Sequence, residues 1–258
     1  MTTNQAIKII SNISGPHVAR IIVDAIPNMS RIKLWRICRQ LRRGVPVAKI
    51  VHNKWFYGLR FYTNHWTLDP RPDTETVVAA ILNDYSHAGH IHIADLGTGT
   101  GCIICAIAKN MDATGVALEK SRHAIRVAKK NINDLGLSQK IYIQHGDFGN
   151  AKIFATNTFD VIVSNPPYIS YNDKRVDTGA LHDPKMALYA KNNGYAAYEQ
   201  IAKNAKIWLK NGGRIYLEIG IDMAERVKEI FVDQGWTFVK HLNDLGEITR
   251  VLVFENMK

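Results

Sequence analysis

Cysteine is scarce in this sequence, and long apolar runs and a recognisable export signal are missing. The 258 residues include three cysteines, too few for the disulfide framework on which small secreted domains depend. No apolar stretch approaches the roughly 20 residues that span a bilayer. Met1 to Gln5 lack the basic start and following apolar segment of a secretory signal. We therefore expect a cytoplasmic protein with reduced thiols.

Acidic residues are also scarce in the first quarter of the chain. Residues 1–70 contain eleven Lys and Arg against two acids, Asp24 and Asp69, so +9 of the total charge of +10 lies there. Such an asymmetry indicates that the first quarter faces an anionic partner. Charge that serves only solubility is the alternative interpretation.

Helices are predicted throughout the basic first part. Residues 5–26 look helical with a break at Gly15-Pro16, and a second helix is predicted between Ser30 and Gly44, which are suited to begin and end it. Its apolar residues recur at helical spacing: Leu34, Ile37, Cys38 and Leu41. Roughly the opposite face carries three arginines: Arg36, Arg39 and Arg43.

A connecting segment follows this helical part. Val47 to Tyr62 is rich in aromatic and β-branched residues around Gly58, which predicts a hairpin between two domains. Asp69 to Pro72 is a stiff linker, and Asp73 or Thr74 is the predicted cap of a helix that continues through Leu82.

From residue 91 onward, short apolar strands alternate with helices of ten or more residues. Strands are predicted at 91–96, 113–118, 140–145, 159–164, 214–219, 236–241 and 248–254. Helices are predicted at 101–110, 121–135, 194–210 and 222–234. This alternation predicts a mostly parallel seven-stranded sheet, with its last strand antiparallel and helices on both faces.

A proline loop follows the strand at 159–164. Asn165-Pro166-Pro167-Tyr168 is stiff and poor in N–H donors, and it offers carbonyl acceptors and one aromatic face. Such a loop suits a planar group that bears an NH₂, either an amide or a nucleobase amine. A proline turn without function is the alternative.

A glycine loop and two acids complete the candidate site. Asp95-Leu96-Gly97-Thr98-Gly99-Thr100-Gly101 follows the strand at 91–96, and Glu119 and Asp147-Phe148 follow the next two strands. Cys102 stands where a dinucleotide-binding loop requires glycine, so the spacing favours S-adenosylmethionine. Glu119 would accept hydrogen bonds from ribose hydroxyls and Asp147 from the adenine amine, while Phe148 would cover the ring.

These motifs resemble the PrmC/HemK family, the protein-(glutamine-N5) methyltransferases that modify peptide chain release factors. The resemblance covers roughly residues 40–254. It includes the glycine loop, the N-P-P-Y loop and four further runs: 70–75 (PRPDTE), Asp183-Pro184 with Ala187-Leu188, 217–220 (LEIG), and Asp244-Leu245-Gly246 before Arg250. The family usually has Asp where Glu119 stands and a glycine-rich stretch where Lys191-Asn192-Asn193 stands.

The resemblance implies a class I S-adenosylmethionine-dependent methyltransferase that methylates a release-factor glutamine. Residues 1–46 would form a basic helical substrate-docking domain, 47–72 a hairpin and linker, and 73–258 the methyltransferase domain. The catalytic residues would be Asn165, Pro166 and Tyr168, and these together with Pro167 would bind the substrate. The cofactor would contact the glycine loop through Asp95, Gly97, Thr98, Gly99, Thr100 and Gly101, and beyond it Glu119, Asp147, Phe148 and Asn165.

Two other functions compete with this one. An amino-methyltransferase acting on adenine or cytosine would use the same N-P-P-Y loop, although the sequence offers no extra domain of a size suited to reading bases. The other is a cofactor-binding module that no longer catalyses and acts through its basic amino-terminal part, and the intact Asn165 and both acids argue against it. Cys102 and Cys105 are interpreted as core residues of a helix, and no metal site is expected.

Overall fold

Helices form the amino-terminal part of the computed structural model, which describes residues 2–173 and 178–257. They are α1 (Thr3–Ala25), α2 (Arg31–Arg42) and α3 (Val47–Val51). The predicted break in α1 is confirmed, since Gly15 leaves helical geometry with a φ of 84° just before Pro16. Apolar residues of all three helices form a cluster of their own, separate from the two clusters beside the main sheet.

Helix α2 begins and ends where the sequence predicts. The Ser30 hydroxyl accepts the Lys33 N–H at 3.2 Å, and Gly44 follows the helix with a φ of +71°. The predicted faces are also confirmed: Leu34, Ile37 and Cys38 are buried and Leu41 is partly buried, whereas Arg36, Arg39 and Arg43 are exposed.

The predicted hairpin is shorter than expected, and the prediction for Val47–Val51 is wrong. That segment is helix α3, while the hairpin comprises β1 (Lys54–Phe56) and β2 (Leu59–Phe61). The β-branched residues of α3 suggested a strand, but they lie at i, i+3 and i+4 and pack on α1 and α2. Packing of an apolar face outweighs the weak intrinsic preference of these residues.

The central sheet has the predicted seven strands. They are β3 (Ile91–Leu96), β4 (Ala113–Glu119), β5 (Ile141–His145), β6 (Phe159–Ser164), β9 (Leu209–Glu218), β10 (Thr237–Asn243) and β11 (Thr249–Glu255). Their spatial order is β10-β11-β9-β6-β3-β4-β5. The last strand, β11, runs antiparallel to both β9 and β10, and the pairs β9–β6, β6–β3, β3–β4 and β4–β5 are parallel.

Helices cover both faces of the sheet. They are α4 (Glu75–Asp84), α5 (Cys102–Asn110), α6 (Arg122–Asp134), α8 (Ala196–Trp208) and α9 (Ala224–Asp233). One apolar cluster joins α4, α5 and α6 to the sheet, and the other joins α8 and α9 to it. The predicted doubly covered architecture is therefore confirmed.

The main departures lie near Gly212 and beyond the N-P-P-Y loop. Helix α8 ends at Trp208 and β9 begins at once, so the glycine-rich turn predicted at 211–213 is a bulge inside β9, with Gly212 at a φ of +71°. Two-residue strands β7 (Ile169–Ser170) and β8 (Tyr189–Ala190) pair with each other and flank the short helix α7 (Lys185–Leu188). Elements this short leave no periodicity in the sequence.

A buried group of charges joins the helical part to the rest of the chain. The Lys49 ammonium lies 2.7 Å from Asp69 and 2.9 Å from Asp183, and Arg71 lies 2.8 Å from the other Asp183 oxygen. Lys49 also donates to the backbone oxygens of Asn64 and Thr67. Burial raises the pKa of Asp183, and the nearby Lys49 opposes this shift.

Replacing Lys49 with methionine should lower the free energy of unfolding by about 3–5 kcal/mol, because two buried carboxylates would lose a shared cation. Chemical denaturation would measure the loss. Lys130→Met provides the control: its ion pair with Asp134 is exposed, and its removal should cost no more than about 1 kcal/mol. Equal effects of both substitutions would show that the Lys49 contacts contribute little.

Candidate active site

The carboxyl ends of three neighbouring strands bring the glycine loop and the N-P-P-Y loop together. Strand β3 leads into the glycine loop, β6 into Asn165, and β9 ends at Glu218. The Ser164 hydroxyl donates to the Leu96 carbonyl at 2.7 Å, and Ser164 also pairs with Leu217. Ligands of parallel sheets bind at such edges, so the two predicted motifs share one site.

The glycine loop has a conformation that requires glycine. Gly97, Gly99 and Gly101 have φ values of +73°, +57° and +81°, in the left-handed region that other residues rarely adopt. The buried Asp95 holds the loop by accepting the Thr98 hydroxyl at 2.6 Å. Burial raises the pKa of Asp95 to about 7, although the bond from Thr98 opposes this.

Glu119 lies against the same loop. Its side chain is buried, and its two oxygens accept the Gly99 N–H at 3.0 Å and the Ser121 N–H at 2.8 Å. Backbone N–H groups from two segments, the glycine loop and the residue before α6, therefore fix the carboxylate. It retains lone pairs, since each carboxylate oxygen can accept two hydrogen bonds.

Asp147 and Phe148 lie farther out on the same edge. Asp147 is partly exposed, pairs with Lys120 at 2.7 Å and accepts the Gly149 N–H at 2.8 Å. Phe148 packs on the core beside Gly97, where a Cβ atom would lie 4.0 Å from the Phe148 ring. Glu119 and Phe148 thus both adjoin the glycine loop, and Asp147 directly precedes Phe148 in the chain.

Thr74 fixes the orientation of the Asn165 side chain in the N-P-P-Y loop. The Asn165 amide nitrogen donates to the Thr74 hydroxyl oxygen at 3.2 Å. Among the residues that the structure describes, none donates a hydrogen bond to the Asn165 carbonyl oxygen, which is therefore available as an acceptor. Asn165 is partly buried and Pro166 is buried, so both present their oxygens in a setting with little competing water.

Tyr168 is held by packing. A Cβ on Gly220 would lie 2.9 Å from the Tyr168 ring, and one on Gly194 would lie 2.2 Å from the Tyr168 carbonyl oxygen. Glycine is therefore required at both positions. Burial raises the pKa of Tyr168 to about 12, so its phenol stays protonated at neutral pH and is poorly suited to act as a base.

Lys191-Asn192-Asn193 stands where the family usually has a glycine-rich stretch, and the backbone angles explain this difference. Asn192 and Asn193 have φ values of 53° and 54°, in the left-handed region. Asparagine tolerates this region better than most residues, so it replaces glycine here at little cost. The turn that leads into Gly194 is thereby preserved.

Residues 70–75, the run PRPDTE, contact several segments that are distant from them in the sequence. Its polar side chains each bind a different segment: Arg71 binds Asp183, Asp73 binds Arg250 at 3.0 Å, Thr74 binds Asn165, and Glu75 accepts the Tyr57 N–H at 2.8 Å. Thr74 is the N-cap residue of helix α4, as the sequence predicts, but its side chain makes no cap hydrogen bond. Its hydroxyl contacts the N-P-P-Y loop instead.

Sequence reasoning also missed Glu218 as a site residue. It is 3% exposed at the end of β9, next to the strand that leads into Asn165. Burial raises its pKa to about 7, and the neighbouring Thr74 and Asn165 side chains act in the opposite direction. Its membership of the run 217–220 was the one available signal.

The cysteine pair belongs to the core, as interpreted from the sequence. Cys102 and Cys105 are buried free thiols in α5, and burial raises both thiol pKa values, that of Cys102 to about 12. Within residues 2–173 and 178–257, no three His, Cys, Asp or Glu side chains are placed to share a metal ion. No helix in those ranges is long and apolar enough to span a membrane.

Curated relatives carry closely related sequences. The release factor glutamine methyltransferase of Shewanella oneidensis is 36% identical over 225 residues, covering 85% of this chain and 77% of that protein. The enzyme of the same name from Neisseria gonorrhoeae is 34% identical over 237 residues, covering 91% and 85%. The bifunctional methyltransferase of Rickettsia typhi is 32% identical over 269 residues, covering 95% of this chain and 51% of that protein.

Solved structures share the fold. A methyltransferase from Pyrococcus furiosus has a TM-score of 0.59 at 20% identity, covering 86% of this chain and 98% of its own. The catalytic domain of hMettl16, in complex with an RNA hairpin, has a TM-score of 0.60 at 18% identity, covering 78% and 77%. Identities this low establish the fold and leave the substrate open.

The sequence similarity extends well beyond the cofactor-binding core. The methyltransferase domain family model matches residues 87–244, and the S. oneidensis enzyme matches 85% of this chain. The expected fold, a mostly parallel seven-stranded sheet with its last strand antiparallel, is present. The chain belongs to the release factor glutamine methyltransferase family.

Proposed function

We propose that this protein transfers a methyl group from S-adenosylmethionine to the side-chain amide nitrogen (N5) of a glutamine in a peptide chain release factor. Family membership supports the reaction. The orientation of Asn165 is the structural observation that carries the proposal for this site, because its free oxygen suits a substrate that presents an N–H. A release-factor substrate also supports a cytoplasmic location, where translation takes place.

The residues around the glycine loop fit S-adenosylmethionine. The cofactor supplies an electrophilic methyl group when it is bound. We assign its ribose hydroxyls to Glu119, its adenine amine to Asp147 and its adenine ring to Phe148. The glycine loop from Asp95 to Gly101 would let the backbone approach the rest of the molecule closely.

Asn165 and Pro166 position the nucleophile in this proposal. An amide nitrogen is a weak nucleophile because its lone pair is delocalised. The Asn165 side-chain oxygen and the Pro166 carbonyl would each accept one N–H, which aims the nitrogen and stabilises the positive charge that develops on it. The N–C bond would form as the bond from the methyl carbon to the sulfonium sulfur breaks, and the methylated nitrogen would then release one of its two protons. Pro167 and Tyr168 hold the amide plane by packing, and Asn165 also borders the cofactor.

We further propose a division of labour along the chain. Residues 1–46 form a basic substrate-docking domain, 47–72 connect it, and 73–258 catalyse the transfer. The separate apolar cluster of the helical part and its exposed arginines support this division. The end of α2 also meets the segment before Asp183, since the His182 ring contacts the Arg43 carbonyl at 3.1 Å.

A labelled-methyl assay tests the function directly. The protein would be incubated with radiolabelled S-adenosylmethionine and, separately, a purified release factor, DNA and RNA. We expect label in the release factor, located at glutamine by mass spectrometry. Label in DNA or RNA alone would replace this function with nucleic-acid amino-methylation, which uses the same loop chemistry.

The docking role of the basic face predicts a selective defect. Replacing Arg36, Arg39 and Arg43 with glutamate should raise the KM for the release factor, because the complementary charge is reversed. Methylation of a short glutamine peptide should change little, since the chemistry takes place elsewhere. Steady-state kinetics with both substrates would measure the difference.

A second triple variant controls for net charge. Lys109, Lys140 and Lys203 are exposed on the methyltransferase part, and their replacement with glutamate changes the total charge equally. This variant should leave the KM for the release factor near the wild-type value. An equal rise in KM for both triple variants would refute a specific docking face.

A further inference from the structure

We infer that Thr74 and Glu218 form a positioning pair that sets the orientation of the Asn165 side chain. This inference rests on the proposed function, because the Asn165 oxygen is taken as the acceptor of the substrate amide. Neither residue is assigned a contact with the substrate or the reacting atoms. They would act through Asn165.

Thr74 acts as the hydrogen-bond acceptor for the Asn165 amide. Its hydroxyl oxygen accepts the Asn165 amide N–H, and the residue is 2% exposed. A hydroxyl that accepts one hydrogen bond still has a proton to donate. A buried donor requires a partner, since an unpaired one costs about 1–3 kcal/mol.

Glu218 offers the matching acceptor. Its Oε2 atom is buried and has no hydrogen-bond partner within residues 2–173 and 178–257. Strand pairing of Ser164 with Leu217 places Glu218 beside Asn165 at the ends of β9 and β6. The Thr74 and Asn165 side chains both act against the rise in the pKa of Glu218 that burial causes. A small rotation of the Thr74 hydroxyl group toward the carboxylate would satisfy the donor and the acceptor together.

The direction of the hydrogen bonds, from Asn165 to Thr74 and from Thr74 to Glu218, determines which atom of the Asn165 side chain faces the substrate. In its carboxylate form Glu218 can only accept hydrogen bonds, so the Thr74 hydroxyl then donates to Glu218 and accepts the Asn165 amide N–H. The opposite orientation of the Asn165 amide would turn its carbonyl oxygen toward Thr74, whose proton is already donated to Glu218, and would turn its NH₂ group toward the N–H groups of the substrate. Glu218 therefore selects the acceptor-outward orientation of Asn165 through Thr74.

The surroundings support a fixed geometry for this group. The Tyr198 hydroxyl donates to the Glu218 backbone carbonyl at 2.8 Å, which anchors the end of β9 to α8. Asp73, adjacent to Thr74, is held by Arg250 at 3.0 Å. Each member of the pair is thus anchored by a second element.

Matched substitutions of Thr74 test the inference. Thr74→Val keeps the shape but lacks the hydroxyl, and kcat for the release factor should fall at least tenfold with the KM for S-adenosylmethionine unchanged. Thr74→Ser keeps the hydroxyl and should retain most of the activity. Equal activity of the valine and serine variants would overturn the role of the hydroxyl.

Glu218 is tested in the same way. Glu218→Gln keeps an oxygen acceptor and should retain more of kcat than Glu218→Leu, which keeps none. Thermal melting of each variant reports whether the fold is intact. A leucine variant that folds and turns over like the glutamine variant would remove Glu218 from the pair.

A double substitution separates positioning from general damage. If Thr74 acts through Asn165, then Thr74→Val should reduce kcat no further in an Asn165→Ala background. Full multiplication of the two losses would overturn the inference. The wild-type assay separates the proposed function from the positioning inference. Wild-type protein that leaves the release factor unlabelled contradicts the proposed function. Normal wild-type activity with an unaffected Thr74→Val variant contradicts only the positioning pair.

Discussion

Replacing Asn165 with alanine should reduce the rate of methyl transfer on the order of a hundredfold or more, the size seen when one preorganised polar contact is lost. The structure strengthens this expectation, because Thr74 holds the Asn165 nitrogen and no residue in the described part of the chain occupies the oxygen. Alanine removes both the acceptor and the aim of the substrate amide. Single-turnover methylation of a purified release factor would measure the chemical step without product release.

Asn165→Asp is the matched variant. Aspartate keeps an acceptor and nearly the same shape, and its negative charge can still stabilise the cationic nitrogen, so it should retain more activity than alanine. Cofactor affinity, measured in parallel by calorimetry, should stay near the wild-type value for both variants. An Asn165→Ala protein with near-normal turnover would exclude this residue and move the search to another loop.

The layout of the sheet could be predicted because each strand carries its own signal. Strands β3, β4 and β6 are short apolar runs that end at polar loops, and buried parallel strands require little else. The glycine loop was equally visible, since its positive φ angles require glycine. Signals of this kind are local, so one sequence is enough to detect them.

The residues that support Asn165 could not be predicted in the same way. Thr74 is 91 positions away from Asn165 along the chain, and its own neighbourhood looked like an ordinary helix start. Lys49 likewise meets Asp183 only in the folded chain. Such pairs depend on how separate segments pack, and neither periodicity nor spacing records that.

Helix α3 is the opposite case. Its local pattern was present in the sequence but was interpreted as a strand instead of a helix. Val47, Ile50 and Val51 satisfy helical spacing as well as strand composition. A five-residue segment is too short to separate the two patterns. Its burial against α1 and α2 decides the outcome.

The glycine loop should also tolerate substitution poorly, and backbone conformation rather than lack of space is the reason. A Cβ on Gly99 would have its nearest neighbour, the Gly97 carbonyl oxygen, at 4.0 Å, so the chain itself leaves room for alanine. The φ of +57° is the obstacle, because it costs an L-residue about 1–2 kcal/mol. Gly99→Ala should therefore weaken cofactor binding by distorting the loop.

Glu119→Ala should weaken S-adenosylmethionine binding roughly ten- to a hundredfold, as expected from losing charge-assisted hydrogen bonds of about 1.5–3 kcal/mol. Two effects combine at this position. The proposed bonds to the ribose hydroxyls disappear, and the Gly99 N–H loses the acceptor that holds the loop. Isothermal titration calorimetry would measure the affinity.

Two further substitutions show whether the carboxylate is responsible. Glu119→Asp keeps the charge and corresponds to the residue usual in the family, so its loss of affinity should be smaller than that of Glu119→Ala. Glu229→Ala removes an exposed carboxylate of α9, whose side chain is 60% exposed, and should leave affinity unchanged. Because Glu119 is buried against the glycine loop, thermal melting must first show that the alanine variant is folded. A folded Glu119→Ala protein with wild-type affinity would place the cofactor elsewhere on the sheet edge.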